Sequence, residues 1–100
     1  MKKSILISAM LITFVAVGCN KTLPSYSLAD VKLHNTASDC WLAVNGSVYD
    51  ATSFIPRHPG GSDRIIPLCG TDATTSFTEK HEGDQLPEAQ LESLKIGTLK

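Results

Sequence analysis

The 100-residue sequence lacks the motifs on which most enzyme chemistry depends. It has no glycine-rich phosphate loop, no nucleophile with a recognisable base, and no paired acids in a pattern that predicts a catalytic cleft. It has only three cysteines and no Cys-x-x-Cys pair, which argues against a zinc site. Internal repeats and low-complexity tracts are absent as well. We therefore expect a single domain without catalytic activity of its own.

The sequence also lacks an excess of basic residues. Nine Lys and Arg stand against ten Asp and Glu, and two of the nine are lost if the first 18 residues are cleaved, which leaves a net charge of −3. This balance argues against nucleic acid as a partner and mildly favours a basic one. Residues 72–92 hold six acids and one lysine. A solvated face is the default interpretation of that tract, and a docking surface is the alternative.

No apolar run is long enough for a comfortable membrane span, which needs about 20 residues. The first 18 residues instead have the organisation of a secretory signal peptide. Lys2 and Lys3 precede an apolar stretch, 5–17, which only Ser8 and Thr13 interrupt. We therefore predict that residues 1–18 are a cleaved leader.

Residues 15–19, Val-Ala-Val-Gly-Cys, resemble the lipobox of bacterial lipoproteins. The resemblance implies that Cys19 becomes the lipidated first residue of the mature protein, and simple cleavage nearby is the alternative. Each acyl methylene buried in a bilayer contributes about 0.8 kcal/mol, so several chains would anchor the protein stably. The sequence thus predicts a lipid-anchored protein on the periplasmic side of the bacterial cell envelope, with 19–25 as lipidated N-terminus and linker and 26–100 as the folded domain.

Cys40 and Cys69 are the two cysteines left once Cys19 is used for lipidation. About 82 residues remain after cleavage, a size at which a domain is only marginally stable without an additional brace. In an oxidising compartment a disulfide is the leading interpretation of the pair, and two buried free thiols are the alternative. Closing a loop of about 30 residues would stabilise the fold by roughly 3 to 4 kcal/mol in the chain-entropy model.

Turn and capping signals predict a mixed α+β domain. Asn45-Gly46 is the dipeptide preferred in a type I′ turn and predicts a hairpin of strands 40–44 and 48–50. Ser27 with Asp30 predicts the start of a helix over 28–34. The remaining predictions are a one-turn helix capped by Thr52 and ended by Pro56, helices after Ser62 and Thr71 with Gly70 between them as a helix-ending residue, a helix over 87–94, and a final strand over 95–99.

Two histidines carry the strongest chemical signal. His58 opens the tetrapeptide His-Pro-Gly-Gly, and His81 follows 23 positions later. Two neutral imidazoles can fill both axial positions of a heme iron, and adjacent glycines let the backbone come close to the macrocycle. Because the chain has no Cys-x-x-Cys-His, we expect noncovalent heme b. His34, at the end of the first predicted helix, fits an ordinary capping role.

The order of these motifs resembles the cytochrome b5 heme-binding domain, from Tyr26 to Leu99. The matching segments are Tyr26-Ser27-Leu28, Cys40-Trp41-Leu42, Val48-Tyr49-Asp50-Ala51-Thr52, Phe54, His58-Pro59-Gly60-Gly61, Gly70-Thr71-Asp72-Ala73-Thr74, Phe77, His81 and Ile96-Gly97. The resemblance implies a small α+β fold in which two helix pairs form a heme crevice over a short mixed β-sheet. One histidine comes from each pair.

The resemblance also implies the roles of individual residues. His58 and His81 would be the axial ligands of a six-coordinate iron, which leaves no open position for oxygen or substrate. Glu82 stands where many members have a serine that binds a heme propionate, so we expect it to point outward. Further cofactor contacts are implied for Phe54, Pro59, Gly60, Gly61, Ile65, Phe77, Val44 and Ala51, with Leu91 or Leu94 closing the far side.

The function implied is that of a b-type cytochrome that carries single electrons between redox partners at the cell envelope. The acids expected around the heme edge would guide a basic partner such as a soluble c-type cytochrome, and they are Asp63, Glu79, Glu82 and Asp84. One alternative is a heme-binding module for heme transport or sensing. Another is a relative that binds a different ligand as an adaptor, which the presence of both histidines disfavours.

Overall fold

The computed structural model describes residues 22–82 and 85–100. The predicted signal peptide, Cys19 and Asp84 lie outside the described residues. The strands are β1 (Ser25–Tyr26), β2 (Asn35–Thr36), β3 (Asp39–Val44), β4 (Ser47–Asp50), β5 (Thr71–Asp72) and β6 (Lys95–Leu99). The helices are α1 (Leu28–Lys32), α2 (Thr74–His81) and α3 (Gln85–Glu92), with 3₁₀ helices at Thr52–Arg57, Ser62–Arg64 and Ile66–Leu68. No helix within the described ranges has the length and apolarity to cross a membrane.

The sheet topology places the two predicted ligands on separate connections between strands, called here the first excursion (51–70) and the second excursion (73–94). The strand order is β1-β6-β4-β3-β2, and β5 pairs in parallel with β3. The chain leaves the sheet after β4, returns through β5, leaves again through α2 and α3, and returns as β6. His58 lies on the first excursion and His81 ends α2 on the second. The fold is the mixed α+β architecture that the sequence predicts.

The hairpin of β3 and β4 forms at the predicted turn. Asn45 and Gly46 both have positive φ, 49° and 79°, as a type I′ turn requires. The pairing runs from Val44 opposite Ser47 to Trp41 opposite Asp50. This prediction is confirmed, because the turn geometry depends on two adjacent residues alone.

Helix α1 begins with the predicted reciprocal cap. The Ser27 hydroxyl accepts the N–H of Asp30 at 3.1 Å, and the Asp30 carboxylate accepts the N–H of Ser27 at 2.9 Å. The second hydrogen bond lowers the pKa of Asp30 below its usual value of 3.8. The helix ends at Lys32, earlier than predicted, and the His34 ring stacks on Trp41 with centroids 3.5 Å apart.

Thr52 does not cap the helix that follows it, contrary to the prediction. Its hydroxyl accepts the N–H of Cys40 at 2.9 Å and donates to the Asp50 carboxylate at 2.6 Å. The 3₁₀ helix also continues past Pro56, since the N–H of His58 bonds to the carbonyl of Ile55 at 3.4 Å. The partner of Thr52 is twelve residues away in the chain, so its role depended on the tertiary structure.

Cys40 and Cys69 form a disulfide inside the main apolar core, with their Cα atoms 4.7 Å apart. Both residues are at most 5% exposed. The other buried members of this core are Leu42, Val44, Tyr49, Ala51, Ile55, Ile65 and Ala73, and the half-buried side chains packed against them are Phe54, Leu68, Phe77, Leu91 and Leu94. These half-buried side chains leave one side of the core open, and the candidate site lies there.

Candidate functional site

A crevice of about 950 Å³ lies between the 51–70 excursion and helices α2 and α3. Its volume is at the upper end of the range of about 300 to 1,000 Å³ that small-molecule sites occupy. The floor comes from the sheet side through Leu42, Val44 and Ala51. The walls are apolar side chains of the two excursions, namely Phe54, Ile65, Leu68, Phe77, Leu91 and Leu94. The crevice therefore suits a large, flat, mostly apolar ligand.

His58 and His81 face each other across this crevice. Their ring centroids are 6.3 Å apart, and the ring planes are nearly perpendicular at 84°. A metal–imidazole bond is about 2.1 Å, as in zinc sites, so two bonds and two ring half-widths of about 1 Å together span roughly 6 Å. The separation of the two rings thus leaves room for one metal ion between them.

Both imidazoles are oriented by backbone carbonyls. Nδ1 of His58 lies 3.2 Å from the carbonyl oxygen of Gly61, and Nδ1 of His81 lies 2.8 Å from that of Phe77. A carbonyl accepts only, so each Nδ1 donates a proton to it, and in the neutral imidazole Nε2 then keeps the lone pair. This is the arrangement in which a histidine is ready to bind a metal.

Gly60 leaves space for the His58 ring, and Gly61 orients it. A Cβ on Gly60 would lie 3.0 Å from Cε1 of that ring, so any side chain there would displace it. Gly61 has a φ of 93°, a conformation that L residues rarely adopt. In the described part of the chain Gly61 does not line the crevice, and it contributes the carbonyl that holds His58. The sequence predicted a direct cofactor contact for this glycine and missed its orienting role.

The other residues with a predicted cofactor contact lie along the same crevice. Phe54 stands edge-on to His58 with ring centroids 5.8 Å apart, and Phe77 packs on His81 at 4.5 Å. The other predicted residues that line the crevice are Val44, Ala51, Pro59, Gly60, Ile65, Leu91 and Leu94. His34 lies apart from the site, stacked on Trp41 and bonded through Nδ1 to Asp39.

Charges around the crevice differ from the prediction. Three cations without a predicted role line the crevice, namely Arg57, Arg64 and Lys80. Among the predicted acids that the structure describes, Asp63 alone lines the crevice, while Glu79 and Glu82 are exposed beside it. The exposure of Glu82 agrees with the expectation that it points outward. The sequence positions of these cations did not predict that they lie together, because Arg57 and Arg64 belong to the first excursion and Lys80 to the second.

The donor set and the cavity together fit a heme. Two imidazoles lie 6.3 Å apart, the surrounding walls are apolar, and positive charge lies beside the crevice where an anionic edge would be neutralised. A compact hydrated ion would not suit these apolar walls.

Comparison with known proteins agrees with this geometry. The family model of the cytochrome b5-like heme/steroid binding domain matches residues 27–100. The solved structure of Ectothiorhodospira vacuolata cytochrome b558, described as a prokaryotic homologue of cytochrome b5, superposes with a TM-score of 0.72 at 37% identity, covering 78% of this chain and 100% of that one. Cytochrome b5 of Ostreococcus tauri virus 2 superposes with a TM-score of 0.66 at 39% identity, covering 74% and 94%.

Similarity extends to segments of larger enzymes. An NADH nitrate reductase of Arabidopsis thaliana is 44% identical over 80 residues, which are 80% of this chain and 8% of the enzyme. The chain thus spans a small part of that protein. The facing histidines agree with the family match over residues 27–100 and with the two solved relatives. This chain belongs to the cytochrome b5-like heme/steroid binding domain family.

Proposed function

We propose that this domain holds heme b noncovalently between His58 and His81 and carries single electrons at the bacterial cell envelope, without catalytic activity of its own. The observation that carries the proposal is the facing pair of imidazoles, 6.3 Å apart with both Nδ1 atoms held by carbonyls. The family contains heme and steroid binders, and this pair favours heme.

The chain's own residues account for the behaviour expected of a carrier. His58 and His81 would both hold the iron of a bound heme, so substrate would find no open site on the metal. The carbonyls of Gly61 and Phe77 fix the orientations of the two rings. A heme bound there would supply a one-electron couple whose ligands stay the same in both oxidation states.

The apolar walls and the nearby cations complete the fit. Phe54, Ile65 and Phe77 exclude water from the faces of a macrocycle, which lowers the local dielectric. Arg57, Arg64 and Lys80 have the charge needed to neutralise heme carboxylates.

An absorption spectrum of the heme-loaded mature chain tests this proposal. We expect sharp low-spin bands in both oxidation states, reversible reduction, and no change on adding carbon monoxide, since both axial positions are filled. A chain that binds no heme would overturn the proposal. Binding of carbon monoxide to the wild-type protein would show a labile ligand and favour the sensing alternative.

The location and partner rest on the sequence. Residues 1–19, with the predicted lipid on Cys19, lie outside the described residues. The proposed partner is a basic electron carrier such as a c-type cytochrome, and the support is the exposure of Glu79 and Glu82 next to His81. Charges of opposite sign at such an edge raise the association rate.

Reversing one of these acids is expected to slow electron transfer. Glu82→Lys should lower the second-order rate of reduction of a basic c-type cytochrome several-fold at low ionic strength and flatten its salt dependence. Stopped-flow kinetics at several salt concentrations measures both. Asp39→Lys makes the same change in net charge beside His34, away from the residues that line the crevice, and is the control. Equal rates for the two variants would remove the docking proposal.

A further inference from the structure

Cys40 connects three parts of the structure through three different groups. Its N–H donates to the hydroxyl of Thr52 at 2.9 Å, and its carbonyl accepts the N–H of Ala51 at 2.8 Å. Its Sγ is bonded to Cys69. One residue of β3 therefore holds the chain at both ends of the segment 51–69.

The segment 51–69 carries His58 and depends on these ends for its position. Among the residues that the structure describes, its backbone hydrogen bonds from position 53 onward are local, such as Gly61 to His58 at 2.9 Å and Leu68 to Ile65 at 2.8 Å. No strand pairing fixes the interior of the segment within that part of the chain. Ile55 and Ile65 pack it against the core, and Cys40 closes it covalently. Just beyond the segment, the N–H of Gly70 bonds to the Trp41 carbonyl at 2.7 Å.

The opposite ligand is held differently. His81 ends the continuous helix α2, and the N–H of Ala73 just before that helix bonds to Ala43 of β3 at 2.7 Å. Phe77 of the same helix supplies the carbonyl that orients the His81 ring. The position of His81 thus follows from a regular helix, while the position of His58 follows from closure of a loop.

We propose that the Cys40–Cys69 disulfide is a positioning element of the heme site, which keeps the 51–69 segment closed so that His58 stays opposite His81. This inference rests on the proposed heme ligation. Its consequence is specific: opening the disulfide should loosen the metal bond on the His58 side and speed heme loss beyond any effect of lower fold stability. A disulfide that only stabilises the fold would have no such selective effect.

Heme transfer to excess apomyoglobin, followed by absorbance, tests the inference on the mature heme-loaded chain. Cys40→Ala/Cys69→Ala should release heme about ten-fold faster than wild type, because the loop loses its covalent closure. The ferric spectrum of this variant should also gain a high-spin component, which a structural role alone would not produce. All measurements are made where circular dichroism shows the proteins to be folded.

The matched control is Val48→Ala. Val48 is fully buried on β4, outside the apolar cluster that surrounds the crevice, so its truncation lowers stability without touching the loop. We expect its heme release to stay within about two-fold of wild type, since neither ligand segment changes. Thr52→Val removes the hydrogen bond from the Cys40 N–H to the Thr52 hydroxyl and should speed release by an intermediate factor.

Each outcome separates the two proposals. If the wild-type chain lacks a low-spin heme, the proposed function fails. If the wild type has that heme but the double variant and Val48→Ala release it equally fast, the positioning role is wrong and the proposed function stands. If the double variant does not fold, the heme-loaded wild type treated with a thiol reductant takes its place, and heme release no faster than that of Val48→Ala overturns the inference.

Discussion

Replacing either His58 or His81 with alanine is expected to abolish the low-spin heme spectrum and to open the iron to carbon monoxide. Each ring would contribute one axial bond, so the loss of either leaves a vacant position. Heme affinity should fall by at least about 100-fold, more than the loss of an outer-sphere partner would cause. Absorption spectra with and without the gas, and titration with hemin, measure both effects. Added imidazole should restore the low-spin bands.

His34→Ala is the control for these variants. His34 is the one histidine of the chain without a predicted ligand role, and it stacks on Trp41 away from the crevice. We expect its heme spectrum to match that of wild type. The stability of the heme-free protein should change by less than about 0.5 kcal/mol in the His58 and His81 variants, because both rings are only partly buried. Low-spin heme in either ligand variant without added imidazole would contradict the assigned ligation.

Gly70→Ala is expected to destabilise the fold by about 3 kcal/mol in urea unfolding. Gly70 has a φ of 78°, which costs other residues about 1 to 2 kcal/mol. A Cβ there would also lie 2.6 Å from Cβ and 3.1 Å from Cα of Asn35, and such overpacking costs about 1 to 3 kcal/mol. The neighbouring strand β5 would have to shift from β3, since the N–H of Gly70 bonds to the Trp41 carbonyl at 2.7 Å.

Gly46→Ala separates the cost of the positive φ from the cost of overpacking. Its φ of 79° is almost the same as that of Gly70, yet a Cβ on Gly46 would meet nothing within 4 Å. We expect this variant to lose only the conformational part, about 1 to 2 kcal/mol. Equal losses in the two variants would show that the contact with Asn35 relaxes at no cost.

Several features followed from the sequence because their causes are local. The Asn45-Gly46 turn and the Ser27–Asp30 cap each depend on residues within three positions of one another. Strand β6 begins and ends where the pattern predicted, at Lys95 and Leu99. The fold class and the pair His58 and His81 came from the order of whole motifs, which the resemblance preserved over most of the chain.

Other features could not be predicted because they join distant segments. The hydroxyl of Thr52 bonds to Cys40 of β3 instead of capping its own helix. Gly61 orients the His58 ring through its carbonyl, which depends on the bend of the whole tetrapeptide. The cations that line the crevice come from two separate segments of the chain, so the acidic tract at 72–92 alone did not predict the charge around the crevice.

The residue types and their order predict noncovalent heme, from two imidazoles, two adjacent glycines and the lack of a Cys-x-x-Cys-His, and they supply two cysteines that can form a disulfide. Only the tertiary structure decided how those groups are held. Packing of the two excursions over the sheet sets the 6.3 Å between the rings and selects the carbonyls of Gly61 and Phe77 as partners. It also makes Cys40 the residue that closes the His58 segment. The reason is physical, since residue types carry their ligating atoms with them, whereas distances between remote segments exist only after the core has packed.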